Sequence, residues 1–121
     1  MYSEATGGDI FTTTPNNLAI VAGESLRLEC GVAHNLTILW YYHAANIKPA
    51  LIYNGENFSN NFVSDFSVDK SIAGQRALIA TNARLEHAGV YECRVLEGAN
   101  FVVQTHSAKA QLIVLGMQNS V

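Results

Sequence analysis

The chain has 121 residues, a mass of 13.1 kDa and a net charge of −3 with a pI near 5.7. That length suits one domain, and a hydrophobic fraction of 49% supplies a core and excludes wholesale disorder. Charged residues make up 14%, below the usual level of roughly 25%, without the basic surplus that a nucleic-acid binder carries.

Residues 1–9 are polar and Gly-rich, read as a tail, and show no signal-peptide pattern. Residues 10–14 are β-branched and stop at Pro15, which suits an edge strand with a kink. Residues 18–21 follow, then the turn Ala22-Gly23-Glu24. Leu26, Leu28 and Cys30 alternate with polar neighbours and share one strand face. Residues 37–42 are rich in strand formers around Trp40. Residues 50–53 form another short run, closed by the hairpin signal Asn54-Gly55. Residues 66–68 and 77–80 flank a turn at Ile72-Ala73-Gly74-Gln75. Leu85-Glu86-His87-Ala88 begins like a helix but meets Gly89 at once, so it reads as a one-turn corner. Residues 90–95 and 108–115 complete the series, with Ala110, Leu112 and Val114 alternating in the last. Eight or nine short strands, with turn signals roughly every 8–12 residues, predict an antiparallel sandwich or barrel. Apolar runs such as Leu112-Ile113-Val114-Leu115 fall far short of the ~20 residues of a membrane span.

Cys30 and Cys93 are the two cysteines. They form no CxxC and cannot build a zinc site alone, so they are either two buried thiols or one disulfide. A disulfide would close a loop of about 60 residues, worth roughly 4 kcal/mol in the chain-entropy model, and would place maturation in an oxidising compartment.

Four features then coincide. Cys30 ends an alternating strand, Trp40 sits in the next apolar strand, Tyr91 stands two positions before Cys93, and Leu85-Glu86-His87-Ala88-Gly89-Val90 precedes them. Here the chain resembles the immunoglobulin superfamily over residues 10–115. The stretch from Pro15 to Glu24, with Leu26-Arg27-Leu28-Glu29-Cys30, is similar to the first strands of antibody light-chain variable domains. Gln111-Leu112-Ile113-Val114-Leu115-Gly116 is similar to their final strand, and Pro49-Ala50-Leu51-Ile52-Tyr53-Asn54 to their C′ strand. The interval between the cysteines leaves room for C′ and C″ strands, so the resemblance implies a V-type domain. The implied fold is an all-β, immunoglobulin-like V-type antiparallel β-sandwich with Greek-key topology over residues 10–116, followed by a tail at 117–121. It implies an inter-sheet disulfide Cys30–Cys93, the Trp40 indole packed on it, and a Tyr91 hydroxyl bonded to backbone at the corner before its strand.

Departures from the resemblance are informative. An Arg–Asp pair usual in V domains is replaced by Asp65 and His87, which implies a corner pair with reversed charges, Asp65 accepting from His87. Such a pair would respond to pH if the carboxylate raised the His87 pKa. The Phe-Gly-x-Gly bulge of rearranged antigen receptors gives way to His106-Ser107-Ala108-Lys109. His43 and Glu92 stand where antibody chains carry Gln and Tyr.

The resemblance implies a recognition domain of a cell-surface adhesion or immune-type receptor, extracellular, whose GFCC′ face binds protein partners, a second copy or a related V-type domain among them. With Trp40 and Cys93 inward, Leu39, Tyr41 and His43, together with Glu92 and Arg94, should point outward, joined by Tyr53. Phe101 is a further candidate contact. In a two-fold dimer, Glu92 and Arg94 would pair across the axis. Asn35-Leu36-Thr37 and Asn57-Phe58-Ser59 are N-glycosylation sequons. Alternatives are a secreted effector binding carbohydrate, like chitin-binding variable-region proteins, or an unrearranged antigen-receptor-like V chain. The histidines (His34, His43, His87, His106) form no His-x3-His or His-Glu-x-x-His pattern, and no nucleophile motif or phosphate loop accompanies them. No enzymatic activity, metal or cofactor is therefore expected.

Overall fold

A computed structural model describes residues 10–33, 36–97 and 103–116. The expectations for Asn35, Phe101 and both tails lie outside these residues. Ten strands follow in chain order: β1 (Phe11–Thr13), β2 (Leu18–Val21), β3 (Leu26–Leu28), β4 (Gly31–Val32), β5 (Thr37–His43), β6 (Ala50–Tyr53), β7 (Ser67–Asp69), β8 (Ala77–Ala80), β9 (Gly89–Glu97) and β10 (Val103–Leu115). One layer is a five-stranded sheet in the order β2-β10-β9-β5-β6. The other combines β3-β8-β7 with the pair β1-β4. The Gly31–Gln75 bridge and the Arg76 N–H donating to the Cys30 carbonyl knit these two pieces together.

Local sequence explains the crossings. The chain leaves β1 at Pro15, which donates no backbone hydrogen bond, and re-enters as β2 on the opposite layer. There β2 runs parallel to β10, Leu18 beside Leu112 through Val21 beside Leu115. The remaining pairs are antiparallel. After β6, Asn54 and Gly55 turn the chain. Asn54 Oδ1 accepts from the Glu56 and Asn57 N–H groups, and Gly55 takes φ +103°, a conformation that disfavours side chains. Only the Tyr53–Phe58 bridge follows, so the C″ strand for which the sequence has room is reduced to one rung.

The core lies between the layers. Leu26, Leu28 and Cys30 from β3 and its extension meet Ile38, Trp40, Tyr91, Cys93, Val95, Leu112 and Val114. Cys30 and Cys93 are disulfide-bonded, and Trp40 stands opposite Cys93 in the β5–β9 register. The Trp40 indole is fully buried and donates to the Arg76 carbonyl at 2.9 Å, so burying it leaves no unpaired donor. The architecture is thus the V-type sandwich that the sequence implies.

The corner before β9 is a 3-10 turn, Leu85–His87. Tyr91 Oη donates to the His87 carbonyl at 2.6 Å, as the resemblance implies. Burial pushes this phenol up from its ordinary value, which keeps it a donor. Tyr42 adds a second lock that sequence reading missed. Its hydroxyl donates to the Ala88 carbonyl at 2.5 Å, and its ring lies 5.1 Å from that of Tyr91. Gly89 makes room for it: a Cβ there would meet the Tyr42 ring at 2.7 Å, and its φ is +150°.

Candidate recognition face

Alternation along β5 and β9 divides their side chains between core and outer face. Trp40 opposite Cys93 faces the core. The neighbouring pairs, Leu39 opposite Arg94 and Tyr41 opposite Glu92, therefore face outward, as does His43 opposite Val90. From β10, Ser107 and Lys109 lie beside Arg94 and Glu92. From β6, Leu51 lies beside Tyr41.

These residues form a connected cluster. His43 Nε2 lies 2.6 Å from Glu92 Oε1, and Arg94 Nε donates to Glu92 Oε2 at 3.0 Å. The Arg94 guanidinium stacks over the Tyr41 ring, 4.0 Å from its centroid. The Glu92 side chain is only 7% exposed although it points out of the sandwich, because its neighbours cover it. Burial alone would push its carboxyl up. Hydrogen bonds from Arg94, His43 and Ser107 outweigh burial and hold it below its ordinary value, so Glu92 is a fixed anion.

One expectation is corrected by this geometry. Tyr53 does not join the exposed face: it is fully buried, its ring 5.0 Å from Phe58 and its hydroxyl donating to the Gly55 carbonyl. The register shift between Trp40 and Tyr41 places it opposite Trp40. Leu39 and Glu92 lie on the outer side and are covered there. Glu92 and Arg94 pair with each other within the chain.

The structure brings Asp65 and His87 together, with His87 Nε2 3.2 Å from Asp65 Oδ2. It adds Arg84, which donates to the same oxygen at 2.9 Å and which the sequence reading missed. The Arg84 backbone N–H donates to His87 Nδ1. With Nδ1 as acceptor, the hydrogen-bond network assigns the ring proton to Nε2, and Arg84 supplies the corner's cation.

Asp65 and Asp69 likewise carry native partners. At Asp65, burial pushes the pKa up, but hydrogen bonds from His87 and Arg84 hold it below the ordinary value. Asp69 is brought down to about 2, chiefly by Ser71, whose backbone N–H donates to it, and by Arg27. A carboxyl with a lowered folded pKa stabilises the fold above its unfolded value, about 4, and loses that contribution as pH falls through the folded value. The urea midpoint of unfolding is therefore expected to be flat above about pH 5 and to fall steadily toward pH 2. The Asp69→Asn variant should start lower at pH 7 and decline less. A wild-type midpoint unchanged between pH 5 and pH 2 would contradict these pairings.

Among the described residues, no three of His, Cys, Asp and Glu stand close enough to hold a metal ion, and no helix is long and apolar enough to cross a membrane. Two shallow hollows open at the loop end, one lined by Thr37, Asn54, Gly55, Glu56 and Leu96, the other by Leu36, Thr37, Ile38, Gly74 and Arg76.

Comparison with known proteins matches residues 13–115 to the immunoglobulin V-set domain. Contactin-3 of Mus musculus is 30% identical over 108 residues, which is 84% of this chain and 9% of that protein. Contactin-3 of Homo sapiens is 30% identical over 111 residues, 87% of this chain and 9% of the relative. Contactin-5 of Gallus gallus is 31% identical over 104 residues, 85% of this chain and again 9% of the relative. The chain thus spans a small fraction of the length of these relatives.

Proposed function

The chain belongs to the immunoglobulin V-set family, and on that premise we propose that it is an extracellular recognition domain of the adhesion or immune-receptor kind. It binds a protein partner through the outer face of β5, β9 and β10. The observation that carries this reading is the preassembled cluster of Tyr41, Arg94, Glu92 and His43. Tyr and Arg are the residue types that dominate binding energy at protein interfaces. Here the Arg94 fork is already held by Glu92 and the Tyr41 ring already lies under it, so little side-chain freedom is lost on binding. Similarity to the contactins supports adhesion-type recognition, and the disulfide supports maturation in an oxidising compartment.

A second copy of the chain is the first partner to test. Sedimentation velocity over a wide concentration range should show a reversible dimer that Tyr41→Arg weakens at least tenfold. The added guanidinium would sit unpaired in the contact beside Arg94, the kind of loss typical of a central contact, ~1.4 kcal/mol or more. A dimer indifferent to the substitution would move the contact off this face. A monomer throughout would rule out homophilic pairing and leave a different protein as partner. Carbohydrate binding has less support, because Trp40, the chain's one Trp and the strongest stacking platform for a sugar, is fully buried.

A further inference from the structure

The turn that closes the free edge of β6 contains Asn57-Phe58-Ser59, which the recognition face does not use. Asn57 is exposed. Its backbone is fixed on both sides, its N–H donating to Asn54 Oδ1 at 2.8 Å and its carbonyl accepting from the Asn54 N–H at 3.0 Å. Its side-chain amide makes no hydrogen bond to another described residue. The flanking residues are anchored instead. Phe58 packs on the Tyr53 ring, Ser59 Oγ donates to the Leu51 carbonyl at 2.7 Å, and the Ser59 N–H donates to the Ile52 carbonyl at 2.9 Å. The fold thus holds the tripeptide firmly at its second and third positions and leaves the first to solvent.

We propose that Asn57 carries an N-linked oligosaccharide that covers the edge of the five-stranded sheet. The inference rests on the extracellular reading above, but not on the choice of binding face. In the transfer, the Asn57 amide nitrogen attacks the anomeric carbon of an oligosaccharide carried on a lipid pyrophosphate. The carbon–oxygen bond to the pyrophosphate breaks and a carbon–nitrogen bond forms. The nitrogen gives up one proton, and the lipid pyrophosphate leaves. The sequon requires the Ser59 hydroxyl for this step, and after folding the same hydroxyl caps an edge carbonyl of β6. Exposed edge strands invite pairing with other chains, and a bulky hydrophilic group at this turn opposes it. Asn57 follows the Tyr53 end of β6, whereas Tyr41 pairs near its start, at Leu51.

The test is peptide mass spectrometry of the natural full-length protein from eukaryotic cells, after enzymatic deglycosylation in heavy-oxygen water. The expected result is conversion of Asn57 to labelled Asp, abolished in Asn57→Gln and retained in Ser59→Thr. Asn57→Gln keeps every backbone contact of the turn, so it should fold. Unmodified Asn57 in protein with an oxidised Cys30–Cys93 pair would overturn this inference alone. Free thiols at both cysteines would overturn it together with the extracellular reading.

Discussion

Replacing Cys30 and Cys93 together by alanine is expected to remove ~4 kcal/mol of unfolding free energy, the chain-entropy value for a loop of this size. The bond joins residues 63 apart in sequence and links the two layers of the sandwich. Both sulfurs are almost wholly buried, and Trp40 stands opposite Cys93 with no exposed surface of its own, so the double variant also loses packing around the indole. Against the 5–15 kcal/mol that holds a typical domain together, this is a large share. Urea unfolding of the oxidised wild type and the double variant measures it, and a difference below ~1 kcal/mol would contradict the estimate. The consequence reaches the outer face. Glu92 and Arg94 flank Cys93 on β9, so the bond that fixes β9 to the core also fixes the residues that point away from it. The double variant should therefore lose partner binding under mild denaturing conditions in which the wild type retains it.

The frame of the fold was legible because each of its parts has a short-range sequence signature. Alternation placed Leu26, Leu28 and Cys30 on one face, and the residues around Trp40 and Cys93 fixed which sides of β5 and β9 look inward. The Tyr91 lock depends on a spacing of four from the carbonyl it binds, so it too could be read along the chain. Depth could not be read in the same way. Alternation says which side of a sheet a residue faces, but not whether its neighbours cover it. Glu92 and Leu39 point outward and are nevertheless buried, which alternation does not reveal. Tyr53 was misjudged for a different reason: the irregularity between Trp40 and Tyr41 in the β5–β6 pairing breaks the period on which the inference relied. Arg84 was missed because its partner Asp65 is 19 residues away and the two meet only when the turn Leu85–His87 closes. Tyr42 reads as an ordinary inward aromatic. Its role at the corner depends on the space that Gly89 leaves, which only the folded backbone reveals.

The covered carboxylate makes Glu92→Lys the substitution on the outer face with the largest expected cost, ~2–3 kcal/mol of stability. Breaking a fully buried ion pair costs about 3–5 kcal/mol. Here the partners keep some access to water, His43 at 23% and Arg94 at 24% exposure, and the cost is reduced accordingly. The added ammonium would face Arg94 and His43 and lie beside Lys109, so an anion holding its neighbours becomes a further cation among them. Glu92→Gln separates charge from shape. It keeps acceptor and volume but removes the anion, and about 1 kcal/mol is the expected loss. If Glu92 positions the face, both variants should also release Arg94 from the Tyr41 ring. Partner affinity should then fall in the same order as stability, under conditions where both variants remain fully folded. Two results would separate the roles. Reduced stability with unchanged affinity would make the cluster a structural brace and move recognition elsewhere on the domain. Reduced affinity in Glu92→Gln, with urea unfolding almost unchanged, would identify Glu92 as the residue that holds the Tyr41–Arg94 pair in its binding geometry.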